Sequence, residues 1–287
     1  MVFVALQTPR HVAVERWARE MRDLRRSPRT ITERAQIVYR FAAMAGVDPV
    51  ALTADDIFAV LDELDVSASS VQTYLAGLRA WFRWCERAGL REGDPTMRVG
   101  RPSVAERQPR PIADAHAVVL SLDTTMRPGT RAKILLGMYA GLRVSEIARV
   151  RGQDVDVIAG ALAVAGKGGK RVTLPLHPLI AEVARTMPRR GWWFPSPKGN
   201  GPIGRTSCSD GIRRAMHRLG VPGSGHQLRH WFASALLEHG VDVRVVQTLM
   251  RHSSLATTAV YTRVSPSMQR EALEQLPTFG WGLPHVA

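Results

Sequence analysis

His226-Gln227-Leu228-Arg229-His230 opens a C-terminal block that continues with Leu249-Met250-Arg251-His252-Ser253-Ser254 and reaches Tyr261. Histidines, arginine and tyrosine are thus gathered within one short stretch. Upstream stand Gly141-Leu142-Arg143-Val144-Ser145-Glu146 and Gly166-Lys167-Gly168-Gly169-Lys170. A His-x-x-Arg pair alone arises often by chance. The weight lies in all the pieces occurring together, in this order.

These residue types together can break a phosphodiester. That reaction needs a nucleophile, cations to neutralise the transition state, and a proton for the leaving oxygen. A tyrosine hydroxyl ionises near ~10 in water, so it attacks well at neutral pH only among cationic neighbours. Arg143 and Arg229 carry planar forks suited to bidentate phosphate contact, and they stay charged throughout. Fixed donors of this kind typically supply the largest catalytic contribution. A lysine in a tight glycine-flanked turn can protonate a leaving oxygen. Because arginines do the electrostatic work, the arrangement calls for neither a metal nor ATP, and no cofactor is expected.

The ordered pattern Arg…Lys…His-x-x-Arg…His…Tyr resembles that of the tyrosine recombinase (phage integrase) family, strongly from about Leu135 to Tyr261 and loosely before. The resemblance implies a role for each matching position. Tyr261 would attack the scissile phosphate to form a 3′-phosphotyrosyl bond and release a 5′-hydroxyl. Arg143 and Arg229 would clamp the phosphate, and Lys167 would be general acid toward the 5′-oxygen. His226 and His252 would bond the phosphate and assist proton movement. Glu146 would support the site, with His230 beside Arg229 behind it. Taken singly, each residue also has a plainer role: a packed aromatic, a solvated arginine, an i,i+3 ion pair between Arg143 and Glu146, structural histidines. Lys170 is the alternative to Lys167. Arg251 departs from the family, which usually has glycine before the histidine; tuning the backbone and contacting DNA are both open to it.

Composition narrows the partner. The chain has 287 residues, with 39 Lys+Arg against 25 Asp+Glu and a formal charge of +14. That excess suits a long polyanion such as double-stranded DNA. Arginine supplies nearly all of it, since lysine occurs only at Lys133, Lys167, Lys170 and Lys198. Cys85 and Cys208 are too few for a disulfide scaffold or a four-ligand zinc site and read as buried thiols. Neither a run of ~18 apolar residues nor a signal-peptide layout is present, so no membrane association is expected. A cytoplasmic setting follows, the bacterial nucleoid or a phage-infected host.

The expected fold is mainly α: an N-terminal four-helix DNA-clamp domain and an α-rich catalytic domain with a small antiparallel three-stranded sheet. Residues 1–95 read as the clamp, 96–111 as a basic, proline-rich linker, and 112–287 as the catalytic domain with a C-terminal docking tail. In the clamp, Val14, Trp17 and Met21 mark a helix near 12–25. Ser27-Pro28 opens a second that ends at Gly46, Thr53-Ala54-Asp55-Asp56 has the form of a capping box for a third, and Ser69 or Ser70 begins a fourth before Gly89. Arg34, Arg79 and Arg83 are candidates for its DNA face, while Trp81 and Trp84 read as core. In the second domain strands are expected at 155–158, 161–165 and 171–175. Helices are expected at 113–122, 131–140, 178–186, 207–219, 227–238, 243–250 and 254–261. GKGGK is not the GxxxxGK[ST] phosphate loop, which disfavours nucleotide binding.

The segment 266–276 has an amphipathic pattern in Met268, Ala272, Leu273 and Leu276. The resemblance implies that it docks on a neighbouring protomer in a tetramer on DNA; packing on its own chain is the alternative, and Phe279 and Trp281 suit either. The function expected is a phage-type integrase that exchanges strands through a Holliday junction, with an accessory DNA-bending or directionality factor as a further partner. Only about ten residues precede the first helix, which leaves a Xer-like or transposon recombinase open. A type IB topoisomerase would lack the clamp and tail, and a DNA-binding regulator would show an incomplete constellation.

Overall fold

The computed structural model describes residues 11–100, 102–103, 110–166, 171–199, 201–251 and 266–277. The chain divides into two compact units, Met1–Arg107 and Gln108–Ala287.

Three tryptophans organise the first unit. Trp17 sits on α1 (Val12–Asp23), and Trp81 and Trp84 on α4 (Ala68–Arg87). Their ring centroids lie 5.2 to 6.5 Å apart. Buried indole N–H groups need acceptors: Trp81 donates to the Pro49 carbonyl at 3.0 Å and Trp84 to Glu20 Oε2. Helix α2 (Pro28–Ala45) buries Ile31, Ile37, Val38, Phe41 and Ala42 against them, and α3 (Ala54–Leu64) adds Ile57 and Val60. The starts follow from the caps. Ser27 Oγ accepts from the Thr30 N–H at 3.1 Å with Pro28 at the first helical position. Thr53 and Asp56 exchange backbone bonds at 2.8 and 3.2 Å in a full capping box.

Two expectations change in this unit. Residues 96–99 are not free linker: Pro95–Arg98 is a 3-10 turn, and Val99 is buried in the first core. The Val99 carbonyl accepts from Arg79 Nη2 at 3.3 Å, so Arg79 is partly spent on its own chain, whereas Arg83 is exposed. Arg101 and Arg107 lie outside the described residues.

The second unit is built around α6 (Pro128–Tyr139), whose residues 134–139 are all buried. It packs on α10 (Gly225–Glu238), α8 (Pro178–Ala184) and α9 (Arg205–Arg218). Helix α5 (Asp114–Leu122) is tied to α10 through Asp114 Oδ1, which accepts from Trp231 Nε1 at 2.7 Å. The sheet is antiparallel in the order β1 (Val155–Asp156), β2 (Ala161–Ala165), β3 (Arg171–Pro175), with Leu162 opposite Leu174 and Ala165 opposite Arg171. The first strand stops two residues short of the expected Ile158. Asp156 Oδ1 accepts from the N–H groups of Ile158 and Ala159 at 3.0 and 2.9 Å, and this local turn outcompetes the ladder. Helices α7 (Val144–Ile147) and α11 (Val243–Met250) complete the frame around the candidate site.

Helix α12 (Pro266–Glu274) packs on its own chain, against α11 and β3. Ala272, Leu273 and Leu276 are buried, and the Pro277 carbonyl accepts from Tyr139 Oη at 3.2 Å. The apolar face of this segment is therefore buried on its own chain through residue 277, the alternative weighed beside docking on a neighbour. Phe279, Trp281, residues 1–10 and the helix expected at 254–261 lie outside the described residues.

Both cysteines are free and buried, and burial pushes their thiols up, Cys85 to about 12 and Cys208 to about 11. Among the described residues no helix is long and apolar enough to cross a membrane.

His177 supplies a pH-dependent element. It caps α8 through Nδ1, which accepts from the Leu179 N–H at 3.2 Å, and its ring lies 4.5 Å from that of Tyr139. Burial lowers its pKa from 6.5 to about 4. A histidine held neutral in this way contributes stability that is complete above pH ~6.5 and is lost as pH falls toward ~4, because the unfolded chain takes up the proton first. Thermal unfolding followed from pH 7 to 4 is expected to lose about 3 kcal/mol at this residue. His177→Asn keeps a capping side chain without titrating, and should lose that much less over the same range; equal losses in both proteins would refute the assignment.

Candidate active site

The site begins where α6 ends. Gly141 takes φ +56, and a Cβ there would stand 2.6 Å from Phe232 Cδ1, so both conformation and space demand glycine. This turn aims the Gly141 carbonyl at Arg229 and Arg251 and delivers Arg143 to the N-terminus of α7. Glu146, one turn on, folds back: its Oε2 accepts from the Arg143 N–H at 2.8 Å, and its Oε1 from Arg143 Nη1 at 3.0 Å.

Helix α10 brings the second set. Ser224 and Gln227 form its capping box, with Gln227 Oε1 accepting from the Ser224 N–H at 2.6 Å. The helix thus starts at Gly225, ahead of the expected 227; the Ser-x-x-Gln pattern is the signal that locates it. A Cβ on Gly225 would lie 2.9 Å from Val144 Cγ2, so this glycine lets the first turn of α10 close on α7. His226, Arg229 and His230 ride on that turn and the next. Arg229 is only 4% exposed. Its Nη1 donates to the Gly141 carbonyl and its Nη2 to the Met250 carbonyl at 2.6 Å. These bonds engage two of the five N–H groups of the guanidinium.

Arg251 is the third cation. It ends α11 in the left-handed conformation, φ +51, which a glycine would adopt more readily. Its Nη2 donates to Glu146 Oε2 at 2.9 Å and to the Gly141 carbonyl at 3.2 Å, and its Nη1 to the Leu249 carbonyl at 2.8 Å. Its own carbonyl lies 3.5 Å from Arg143 Nη2.

Among the described residues, Arg143 and Arg251 therefore pair with one carboxylate, Glu146, and Arg229 adds a third guanidinium to the same corner. Burial works against ionising Glu146, but Arg251, the Arg143 N–H and the Arg143 guanidinium outweigh it and hold the carboxyl below its usual range. Burial, then Arg143 and Arg251, push Arg229 down to about 9, which leaves it charged at neutral pH. Burial also lowers Arg251, against the pull of Glu146. A half-buried corner with surplus positive charge is incomplete without an anion. Arg143 is the reachable member, its side chain 42% exposed against 8% for Arg251.

His226 is exposed at the rim, its ring 4.5 Å from that of His230 and nearly perpendicular to it. Burial and then Arg229, Arg205 and Arg143 lower its pKa. A neutral imidazole there can donate to an anionic oxygen or take up a proton. Arg205, exposed at the start of α9, escaped the sequence reading, since an arginine opening a helix carries no motif. Arg143, Glu146, His226, Arg229 and His230 are brought together. Lys167, His252 and Tyr261 lie outside the described residues, as does the alternative Lys170.

The Phage integrase family model matches residues 103–268, more than half of the chain. The tyrosine recombinase XerD of Pseudomonas aeruginosa is 34% identical over 233 residues, covering 72% of this chain and 77% of that protein. XerA of Pyrococcus furiosus is 30% identical over 240 residues, covering 80% and 82%. Among solved structures, the integrase of mycobacterium phage Brujita is 42% identical across 97% of this chain and 96% of that one, with a TM-score of 0.56. A lambda integrase tetramer bound to a Holliday junction shares the fold, with a TM-score of 0.67 at 18% identity over 88% of this chain and 79% of that one. With the family model, the curated relatives and the arginine-lined corner in agreement, the chain belongs to the phage integrase family of tyrosine recombinases, enzymes that cleave and rejoin DNA strands.

Proposed function

We propose that this chain is a site-specific recombinase of the phage-integrase type, acting as a tetramer on paired duplex attachment sites in the cytoplasm. The observation that supports it most is the Arg143–Arg229–Arg251 corner, three cations with one carboxylate beside His226. A scissile phosphate is the anion that completes it. Arg143 and Arg229 hold the non-bridging oxygens, and the neutral His226 donates to one of them. Tyr261 Oη attacks phosphorus and passes its proton to the free nitrogen of the neutral His226 as the bond to the 5′-oxygen breaks, while Lys167 protonates that oxygen and His252 donates to the phosphate. The phosphotyrosine keeps the bond energy, and attack by a 5′-hydroxyl from the partner duplex rejoins the strand through a Holliday junction.

The match to the Brujita phage integrase along nearly the whole chain favours integration. The Xer names of the curated relatives support a second reading, resolution of identical sites. The tetramer follows from family membership, and the lambda integrase, whose fold this chain shares, is solved in that state on a Holliday junction. An accessory bending or directionality factor is the further partner proposed.

The test is covalent trapping on nicked candidate attachment DNA, in chelator and without ATP, followed by recombination of paired sites. A denaturant-stable protein–DNA adduct and products joining two unlike sites are expected. Products only between identical sites would move the role to the Xer reading. Tight binding with no adduct on several verified sites would leave a DNA-binding regulator, and relaxation without paired products a topoisomerase.

A further inference from the structure

We infer that Arg251 is a positioning residue for cleavage: it fastens Glu146 and the Gly141 carbonyl together, and so sets the two arginines that receive the phosphate. This rests on the recombinase reading of the same corner. Each anchor is shared. Glu146 Oε2 accepts from Arg251 at 2.9 Å and from the Arg143 N–H at 2.8 Å, so the carboxylate that orients Arg143 is itself held by Arg251. The Gly141 carbonyl accepts from both Arg251 and Arg229. Without Arg251, Glu146 would keep only Arg143 as cationic partner in a mostly buried setting, and would follow that more exposed side chain instead of directing it.

The backbone makes the case for function over packing. An arginine at φ +51 gives up conformational energy that a glycine would save, and its buried Nε has no hydrogen-bond partner among the described residues. The backbone conformation itself therefore gains nothing from arginine at this position, and the return comes through the bonds to Glu146, Gly141 and Leu249. Residues held in such strain cluster where a site needs their side chains. Arg251 also directly precedes His252 in the sequence.

The experiment compares Arg251→Gly, Arg251→Lys, Glu146→Gln and the double variant Arg251→Gly/Glu146→Gln. It reads single-turnover adduct formation on nicked attachment DNA, half-site affinity and thermal unfolding. Arg251→Gly exchanges backbone strain for a buried ion pair and is expected to stay folded at the assay temperature and to bind DNA within about twofold, yet to cleave about tenfold or more slowly, as for residues coupled in one network. Lysine should restore part of the rate, because an ammonium can hold Glu146 but lacks the fork that spans both anchors. In the Glu146→Gln background, Arg251→Gly should cost much less than it does alone. Wild-type cleavage by Arg251→Gly, unfolding of that variant at the assay temperature, or fully additive losses with Glu146→Gln would each overturn the role of Arg251 alone. A wild-type chain that forms no Tyr261-dependent adduct would overturn the recombinase reading, and this inference with it.

Discussion

Tyr261→Phe is expected to bind attachment DNA as the wild type does and to leave no covalent band on denaturing gels. The substitution removes one oxygen and keeps the ring, so packing and half-site affinity should change little. No other group in the proposed set can form an ester with phosphorus: arginine and lysine act as cations, and the histidines as hydrogen-bond and proton partners. The loss should therefore exceed about 10⁴-fold, the scale at which removal of a nucleophile leaves only binding and charge stabilisation. Ser253, Ser254, Thr257, Thr258 and Thr262 stand nearby in sequence with hydroxyl groups of their own. An adduct that survives in Tyr261→Phe would shift the nucleophile to one of these and break the assignment.

Arg229→Ala should combine two losses that the other arginines separate. Removing one preorganised donor to the developing oxyanion typically costs about 10²- to 10³-fold in rate. Arg229 is also only 4% exposed, and it covers the Gly141 and Met250 carbonyls. Leaving a buried carbonyl unpaired costs roughly 1–3 kcal/mol, partly offset by the relief of repulsion from Arg143 and Arg251. The melting temperature should fall along with the rate. Arg143→Ala, at the exposed edge of the corner, should lose rate with a much smaller change in stability. Single-turnover cleavage and thermal unfolding on both variants decide this. Cleavage by Arg229→Ala within about tenfold of wild type would place the phosphate elsewhere.

The first unit was readable because its cues are local. Val14, Trp17 and Met21 recur at helical spacing and are buried, and Ser27-Pro28 and the Thr53–Asp56 box start helices through bonds spanning three residues. Where the reading slipped, a competing interaction intervened. The carboxylate of Asp156 drew the backbone out of the first strand, and Ser224 with Gln227 began α10 two residues early. Val99 looked like linker because the Pro95–Arg98 stretch shows no apolar period; its burial depends on the fold of the preceding helices. The apolar face of 266–276 was legible, but the surface it covers was not, since periodicity reports that a face is buried and not against what.

The order Arg143, Lys167, His226, Arg229, His252, Tyr261 is a property of the sequence by itself, because phosphate chemistry restricts which side chains can serve and a motif records their types and spacing. The same holds for the excess of arginine. Only the tertiary structure decided which of the arginines is open to a phosphate and which is sunk, and that Arg251 belongs with Glu146. Their anchors come from far along the chain: Arg229 lies 88 residues from Gly141, and Arg251 lies 105 from Glu146. Burial and partner choice over such separations arise from the tertiary packing that brings the ends of α7, α10 and α11 to one corner, and no local pattern in the sequence encodes them.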